Sequence, residues 1–227
     1  DGQEPPAAPA GRTVRAGGHE FFVREAGPPE APRLLLIHGW ALDSLAAWHR
    51  LMPLLVERWR VVAVDLRGHG KSDRLRGRFA VEDLADEVAM VLDALGPGRY
   101  GVVGYSLGGA VAQALARRHP GRVERLVLLA TAAQPMPLPR PAAAAGLVAL
   151  RAIARLGLPV VPRITHAYLL RSGPVPPEHA AWLWETLLSR DEELHHEAGF
   201  ALARFDSREW VGKLGVPVLC VIPSRDQ

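Results

Sequence analysis

Two patterns of apolar and polar positions alternate along the chain. Short, largely aliphatic runs occupy 34–37, 61–64, 100–103 and 123–130. Such runs are typical of parallel strands that are covered on both faces of a sheet. Between the second and third runs, apolar residues recur at helical spacing over 81–95. The alternation predicts an α/β protein with a mostly parallel sheet and helices on both faces.

The first 60 residues carry weaker patterns. Residues 1–11 are rich in proline and alanine without periodicity, which predicts a disordered lead-in. Residues 12–26 indicate a β-hairpin that turns at Gly17 and Gly18. Leucines at helical spacing predict a helix over 48–58.

The alternation of strand and helix patterns stops after residue 133. From 134 to 210 no strand pattern occurs, and the apolar stretches 142–156, 179–189 and 192–205 are helical in spacing. A strand pattern returns at 216–222. We therefore expect a first core segment over 12–133, a helical cap over 134–210 that covers the carboxyl ends of the strands, and the core resumed over 211–227.

Composition narrows the class of protein. The 227 residues are 48% hydrophobic, enough for one domain with a sizeable core. The 27 basic residues, of which only Lys71 and Lys213 are lysines, are scattered among 24 acidic ones, so we expect no nucleic-acid partner. No apolar run is long enough to predict a membrane span. The single cysteine, Cys220, is expected to be a small buried hydrophobe. We expect a cytoplasmic protein, with secretion after signal removal as the alternative; the oligomeric state is not predicted.

The most informative motif lies at 104–109, Gly-Tyr-Ser-Leu-Gly-Gly. It follows a predicted strand and precedes a predicted helix, which is the context in which G-x-S-x-G forms a nucleophile elbow. Gly104 and Gly108 let the strand and the helix approach each other closely. The free N–H groups at the start of the helix favour a developing oxyanion beside Ser106.

Other candidate residues also follow predicted strands. His38, Gly39 and Trp40 follow the first strand, Asp65 follows the second, and Asp226 follows the last. Ligands bind outside the carboxyl ends of such sheets, so these residues are expected to converge with Ser106. No complete P-loop, dinucleotide fingerprint or H-E-x-x-H motif is present, and we predict no cofactor and no metal.

These motifs resemble those of the α/β-hydrolase superfamily, most closely the branch of capped serine esterases, C–C hydrolases and haloperoxidase-like enzymes. The resemblance extends from the hairpin to the last residue and includes the stretch 65–72, Asp-Leu-Arg-Gly-His-Gly-Lys-Ser. It implies that Ser106 is the nucleophile, that the backbone N–H groups of Leu107 and Trp40 form the oxyanion hole, and that Asp226 is the triad acid.

The chain departs from the superfamily pattern in one respect. The superfamily order is serine, acid, histidine, and none of the nine histidines follows Asp226. We expect the base, with a terminal strand and helix, to be missing from this sequence and the fragment to have little activity. His38 and His69 are expected to support their loops, His195 and His196 to lie on a solvated cap helix, and His166 and His179 to be surface residues or part of a pocket.

The expected function is that of a serine hydrolase acting on small apolar esters, lactones or related carbonyl compounds through an acyl-enzyme. The alternatives are C–C cleavage, perhydrolysis or acyl transfer at the same site, or a non-enzymatic small-molecule binder on the same fold. Four aromatic residues are candidates for lining the substrate pocket: Tyr105, Tyr168, Trp182 and Trp184. The three that lie in the expected cap have an alternative role, which is packing of the cap against the core.

Overall fold

A seven-stranded sheet forms the centre of the molecule in a computed structural model that describes residues 4–136, 139–172 and 175–223. The strands lie in the order β1-β2-β4-β3-β5-β6-β7. Their bounds are β1 Gly11–Ala16, β2 His19–Ala26, β3 Arg33–Ile37, β4 Arg60–Val64, β5 Tyr100–Tyr105, β6 Val123–Leu129 and β7 Val218–Val221. β1 and β2 are antiparallel, and every pairing from β4 to β7 is parallel, which confirms the predicted mostly parallel sheet.

Eight α-helices accompany the sheet in the described residues. Their bounds are α1 Ser44–Trp48, α2 Met52–Leu55, α3 Val81–Ala94, α4 Leu107–Arg118, α5 Arg140–Arg155, α6 Val160–Ser172, α7 Ala180–Leu188 and α8 Glu192–Arg204. Alternate residues of β3 point to opposite faces, as a strand requires. Leu35 and Ile37 pack with α3 and α4, whereas Leu34 and Leu36 pack with Trp48 and Met52. Both faces of the sheet are thus covered, as its apolar strands predict.

The predicted helix over 48–58 is wrong in its extent. The Asp43 side chain accepts a hydrogen bond from the N–H of Ala46 and starts α1 four residues before Trp48. The helix then ends, and α2 begins with Pro53 in its first turn, where the missing proline N–H costs no helical hydrogen bond. The single predicted helix is therefore two short ones.

Four helices, α5 to α8, occupy the chain between β6 and β7. Three correspond to the helical stretches in the sequence, and α6 was not predicted. In the described residues no single helix has the length and apolar character needed to cross a membrane, while the bent pair 141–155 and 160–171 meets those two criteria jointly.

Two other expectations differ from the structure. Residues 4–10 form no helix or strand, but Pro6 is buried and Arg24 Nη1 donates a hydrogen bond to the carbonyl of Pro9, so this part of the expected disordered lead-in packs on the domain. Cys220 is exposed rather than buried. It lies on β7, which is the last strand of the sheet and is exposed along its whole length.

Candidate active site

Ser106 joins β5 to α4 with a backbone that few residues adopt. Its φ is 52° and its ψ is −115°. A positive φ brings the Cβ of a non-glycine residue close to its own backbone, and such conformations persist only where the surroundings enforce them. Here the N–H of Ser106 donates to the carbonyl of Leu129, and Thr131 Oγ1 donates to the carbonyl of Ser106. The elbow is therefore held from the neighbouring strand β6.

Glycines make this sharp turn possible. A Cβ at Gly104 would overlap the carbonyl of Gly108, and a Cβ at Gly108 would overlap the carbonyls of Ile37 and His38. The start of α4 consequently lies directly against the end of β3. The interpretation of these glycines as sites of close approach is confirmed.

The loop after β3 lies beside the serine. A Cβ at Gly39 would be 3.3 Å from the Cβ of Ser106 and 2.8 Å from the Tyr105 ring. The N–H of Leu42 donates to the carbonyl of Gly39 at 3.2 Å, and Ala41 at the third position of this turn has a φ of 75°. Such a positive φ is typical of a type II turn. Trp40 is the second residue of this turn and directly follows Gly39, which lies beside Ser106.

His38 supports this loop as predicted. Its Nδ1–H donates to the carbonyl of Gly39 at 2.9 Å, and its Nε2 accepts from the N–H of Leu66 at 3.0 Å. Because Nε2 accepts a hydrogen bond, the ring is neutral. Complete burial lowers the pKa of His38 from 6.5 to about 4. His69 likewise binds the carbonyl of Arg67 within its own loop.

Asp65 is a structural anchor rather than a catalytic acid. Its Oδ1 accepts from the N–H of Ser44 at 2.7 Å and its Oδ2 from the N–H of Lys71 at 3.0 Å. Burial raises the pKa of Asp65, and burial together with the Asp65 charge raises the pKa of Asp43 to about 6. The pair fixes the loops that follow β3 and β4.

Trp40 packs against α8. Its ring stacks on His195 with centroids 4.7 Å apart and planes 14° apart, and its Nε1–H donates to the carbonyl of His195 at 2.8 Å. One turn further, a Cβ at Gly199 would be 2.7 Å from Trp40 Cζ2. The expectation of solvated histidines on this helix is wrong, since His195 is 3% exposed and His196 is 2% exposed. The apolar side of α8 packs on the core, and the rings of His195 and His196 are buried there as well.

The family model described as the alpha/beta hydrolase fold matches residues 32–227. The chain belongs to this α/β-hydrolase family. A seven-stranded sheet with a serine elbow after its fifth strand agrees with that assignment.

Individual α/β-hydrolases share parts of the sequence. A pimeloyl-[acyl-carrier protein] methyl ester esterase from Nitrosomonas europaea is 43% identical over 100 residues, which are 44% of this chain and 37% of that protein. A 2-hydroxy-6-oxo-2,4-heptadienoate hydrolase from Pseudomonas putida is 39% identical over 125 residues, 54% of this chain and 45% of the other. The chain thus spans less than half the length of these curated relatives. A hydrolase structure from Pseudomonas aeruginosa PA01 superposes with a TM-score of 0.80 at 25% identity, covering 95% of this chain and 81% of that one.

The candidate pocket aromatics of this α/β-hydrolase have different surroundings. Trp182 lines a cavity of about 590 Å³ whose walls include Ala41, Leu42 and Arg190 but not Ser106. The Tyr105 ring packs beside Gly39. Trp184 contacts the ring edge of His166, with centroids 5.4 Å apart, and Tyr168 is 52% exposed. Tyr105 and Trp182 therefore both pack with the loop beside the elbow, in one apolar cluster with Ala41 and Leu42.

The structure bears differently on the acid and on the base of the implied triad. Asp226 lies outside the described residues. All nine histidines lie within them, and none is hydrogen-bonded to Ser106. Among the described residues no group of three or more His, Cys, Asp or Glu side chains is placed to hold a metal ion.

Proposed function

We propose that the protein is a serine hydrolase that cleaves small apolar esters, lactones or related carbonyl compounds through an acyl-enzyme on Ser106. The observation that carries the proposal is the backbone of Ser106, whose positive φ places the serine on a sharp turn at the carboxyl end of β5. A serine in a merely structural turn has no need of this conformation, which costs on the order of 1–3 kcal/mol.

The first chemical step uses the groups around the elbow. Ser106 Oγ attacks the substrate carbonyl carbon while a general base takes the hydroxyl proton. The carbonyl oxygen becomes an oxyanion, which the N–H groups of Leu107 and Trp40 stabilise in this proposal. The base then gives this proton to the leaving oxygen, so that an alcohol departs and the acyl-enzyme remains. The base next takes a proton from water, which attacks the acyl carbonyl, and returns that proton to Ser106 Oγ as the acid leaves.

Asp226 is the proposed acid that orients the base. β7 runs parallel to β5 and β6, so its carboxyl end lies at the same edge of the sheet as Ser106. Asp226 follows the end of β7 by five residues in the sequence. A carboxylate at this position stabilises an imidazolium without itself reaching the serine.

The proposed substrate class rests on relatives and on the cap. The related protein from Nitrosomonas europaea is a methyl ester esterase. In this proposal α5 to α8 cover the carboxyl ends of the strands, and Tyr105, Trp182 and Trp184 of the candidate aromatics give the pocket its apolar character. Similarity to a 2-hydroxy-6-oxo-2,4-heptadienoate hydrolase supports the alternative, a different reaction of a carbonyl compound at the same serine.

A fluorophosphonate probe tests the nucleophile directly. We expect the probe to label Ser106 in the full-length protein and Ser106→Ala to abolish that labelling. We also expect Ser106→Ala to lower kcat/KM for p-nitrophenyl esters by about a thousandfold or more. Ser189→Ala, which removes an exposed hydroxyl at the end of α7, is the matched control and should change neither. Labelling that persists unchanged in Ser106→Ala would contradict the proposal.

A further inference from the structure

Trp40 connects the loop beside Ser106 to α8, while Ala41 and Leu42 of the same loop pack with α6 and α7. Its indole makes two contacts with α8. The Nε1–H donates to the carbonyl of His195 at 2.8 Å, which is a direct bond between the loop after β3 and the backbone of α8. The indole face also stacks on the His195 ring with an interplanar angle of 14°. Position and tilt of the Trp40 side chain are therefore both set by α8.

Gly199 completes the contact. It lies four residues after His195, so both face the same side of α8. A Cβ there would be 2.7 Å from Trp40 Cζ2 and 3.0 Å from Leu147 Cδ2. The indole thus fills the space that the missing side chain leaves between α8 and α5, and it cannot shift in that direction without a clash.

The His195 ring acts as a flat surface rather than as a hydrogen-bonding group. Neither ring nitrogen has a hydrogen-bond partner in the part of the chain that the structure describes, although both are buried. Burying unpartnered polar atoms is unfavourable, and the flat contact with Trp40 is the packing that this ring makes instead. Burial lowers the pKa of His195 well below its usual value, and the nearby Arg190 charge lowers it further.

We propose that α8 positions the oxyanion loop, with His195 and Gly199 as positioning residues that act through the side chain of Trp40. The inference rests on the proposed function, in which the Trp40 N–H stabilises the oxyanion. A donor that is fixed before the reaction stabilises the transition state more than a mobile one, and small displacements reduce that effect. The inserted helices then contribute to the rate of the chemical step as well as to substrate choice.

Four variants separate the contacts. His195→Ala removes the stack, and His195→Phe keeps a flat ring without nitrogens. Trp40→Phe keeps a ring on α8 but removes the indole donor, and Gly199→Leu pushes the indole away. The matched control is His196→Ala, because His196 is equally buried on the same helix and binds the carbonyl of Glu192 instead of Trp40.

Each variant is made in the full-length protein and titrated with fluorophosphonate to count functional sites, and kcat and KM for a p-nitrophenyl ester are then measured per functional site. We expect His195→Ala and Gly199→Leu to lower kcat about tenfold or more with little change in KM. We expect Trp40→Phe to lower kcat by a smaller factor. The kcat of His195→Phe and of His196→Ala should stay within about threefold of the value for the unmodified protein. A residue with only a structural role would change the number of functional sites but not kcat per site.

The indole proton gives a readout that does not depend on turnover. The ¹H–¹⁵N resonance that disappears in Trp40→Phe is assigned to Trp40 Nε1. The Trp40 Nε1 proton should exchange slowly with solvent in the unmodified protein and faster in His195→Ala. Unchanged kcat per site in both His195→Ala and Gly199→Leu would overturn the positioning role, as would a loss in His195→Phe equal to that in His195→Ala. Absence of labelling at Ser106 in the unmodified protein would instead contradict the proposed function, so the two failures are distinct.

Discussion

At the scale of a single residue, His38 makes the free energy of unfolding depend on pH. Its pKa is about 4 in the folded protein, against 6.5 for a histidine in an unfolded chain. The unfolded chain therefore binds more protons than the folded one at pH values between these two, and stability falls as the pH drops through 6.5 towards 4. Protonation of Nε2 would also break its hydrogen bond with the N–H of Leu66.

We expect this histidine to contribute a loss of about 2 kcal/mol in the free energy of unfolding between about pH 7.5 and about pH 5. Urea denaturation at several pH values measures the loss, and His38→Gln should reduce it. His19→Gln, at a half-buried position on β2, should leave the pH dependence almost unchanged. An NMR titration that places the pKa of His38 near 6.5 would refute the prediction.

Individual residues differ in how far the sequence predicts their surroundings. The roles of His38, His69 and Asp65 in fixing loops could be predicted, because each lies within a glycine-rich motif directly after a strand. The burial of His195 could not, because the pattern of α8 places its histidines beside charged residues. The large apolar partner of His195 is Trp40, which is 155 residues away in the chain and invisible to local patterns.

At the scale of elements, the contact between α4 and β3 depends on Gly108. A Cβ there would overlap two backbone carbonyls, which cannot move away as a flexible side chain can. We expect Gly108→Ala to lower the free energy of unfolding by about 2 kcal/mol or more, as overpacking of a rigid contact does.

The matched control for this substitution is Gly146→Ala on α5. A Cβ at Gly146 would have no neighbour within 4 Å, so only helix propensity changes. We expect a gain of about 0.5–1 kcal/mol, because alanine loses less backbone entropy than glycine in a helix. Thermal and urea denaturation of the two variants measure both effects, and equal stabilities would show that α4 and β3 can separate at little cost.

Elements with strong, long patterns were predictable, and those determined by tertiary contacts were not. The strands β3 to β6 and helices α3 and α4 have continuous apolar runs or clear helical spacing, and they lie where the sequence places them. α1 and α2 are short because a side-chain cap and a proline divide them. α6 has a proline in its first turn and few apolar residues on any one face, so its pattern is weak.

At the scale of the whole molecule, β7 is an apolar strand at the edge of the sheet. The exposed fractions of its outward residues include 58% for Leu219 and 44% for Val221. An exposed edge of this kind presents unpaired backbone groups and apolar side chains to other molecules. We expect the 227-residue chain to associate as its concentration rises, and Leu219→Lys with Val221→Lys to reduce the association.

Static light scattering over a concentration series measures this effect. The matched control is Leu156→Lys with Leu188→Lys, which introduces the same two charges at exposed positions at the ends of α5 and α7. Association that is equally strong in the double variant and in the control would show that β7 is not the interface.

The catalytic assignment is also a property of the whole molecule. The motifs predict where Ser106, Leu107 and Trp40 meet, because parallel strands bring their carboxyl ends to one edge of the sheet. The order serine, acid, histidine predicts that none of the nine histidines is the base, but the actual partners of these histidines depend on packing between distant segments. In the structure, His38, His69, His166 and His196 bind backbone carbonyls, and His119 binds Asp86.

The hydrogen bond between Trp40 and His195 has a consequence for the order of folding. Its two ends are separated by 155 positions, so a growing chain holds the Trp40 loop and the Ser106 turn long before it holds α8. Contacts over such separations form late, because a long loop must close first. Until α8 docks, the indole of Trp40 remains exposed to solvent and available to chaperones. Docking of α8 is thus also the step at which this loop reaches its final conformation.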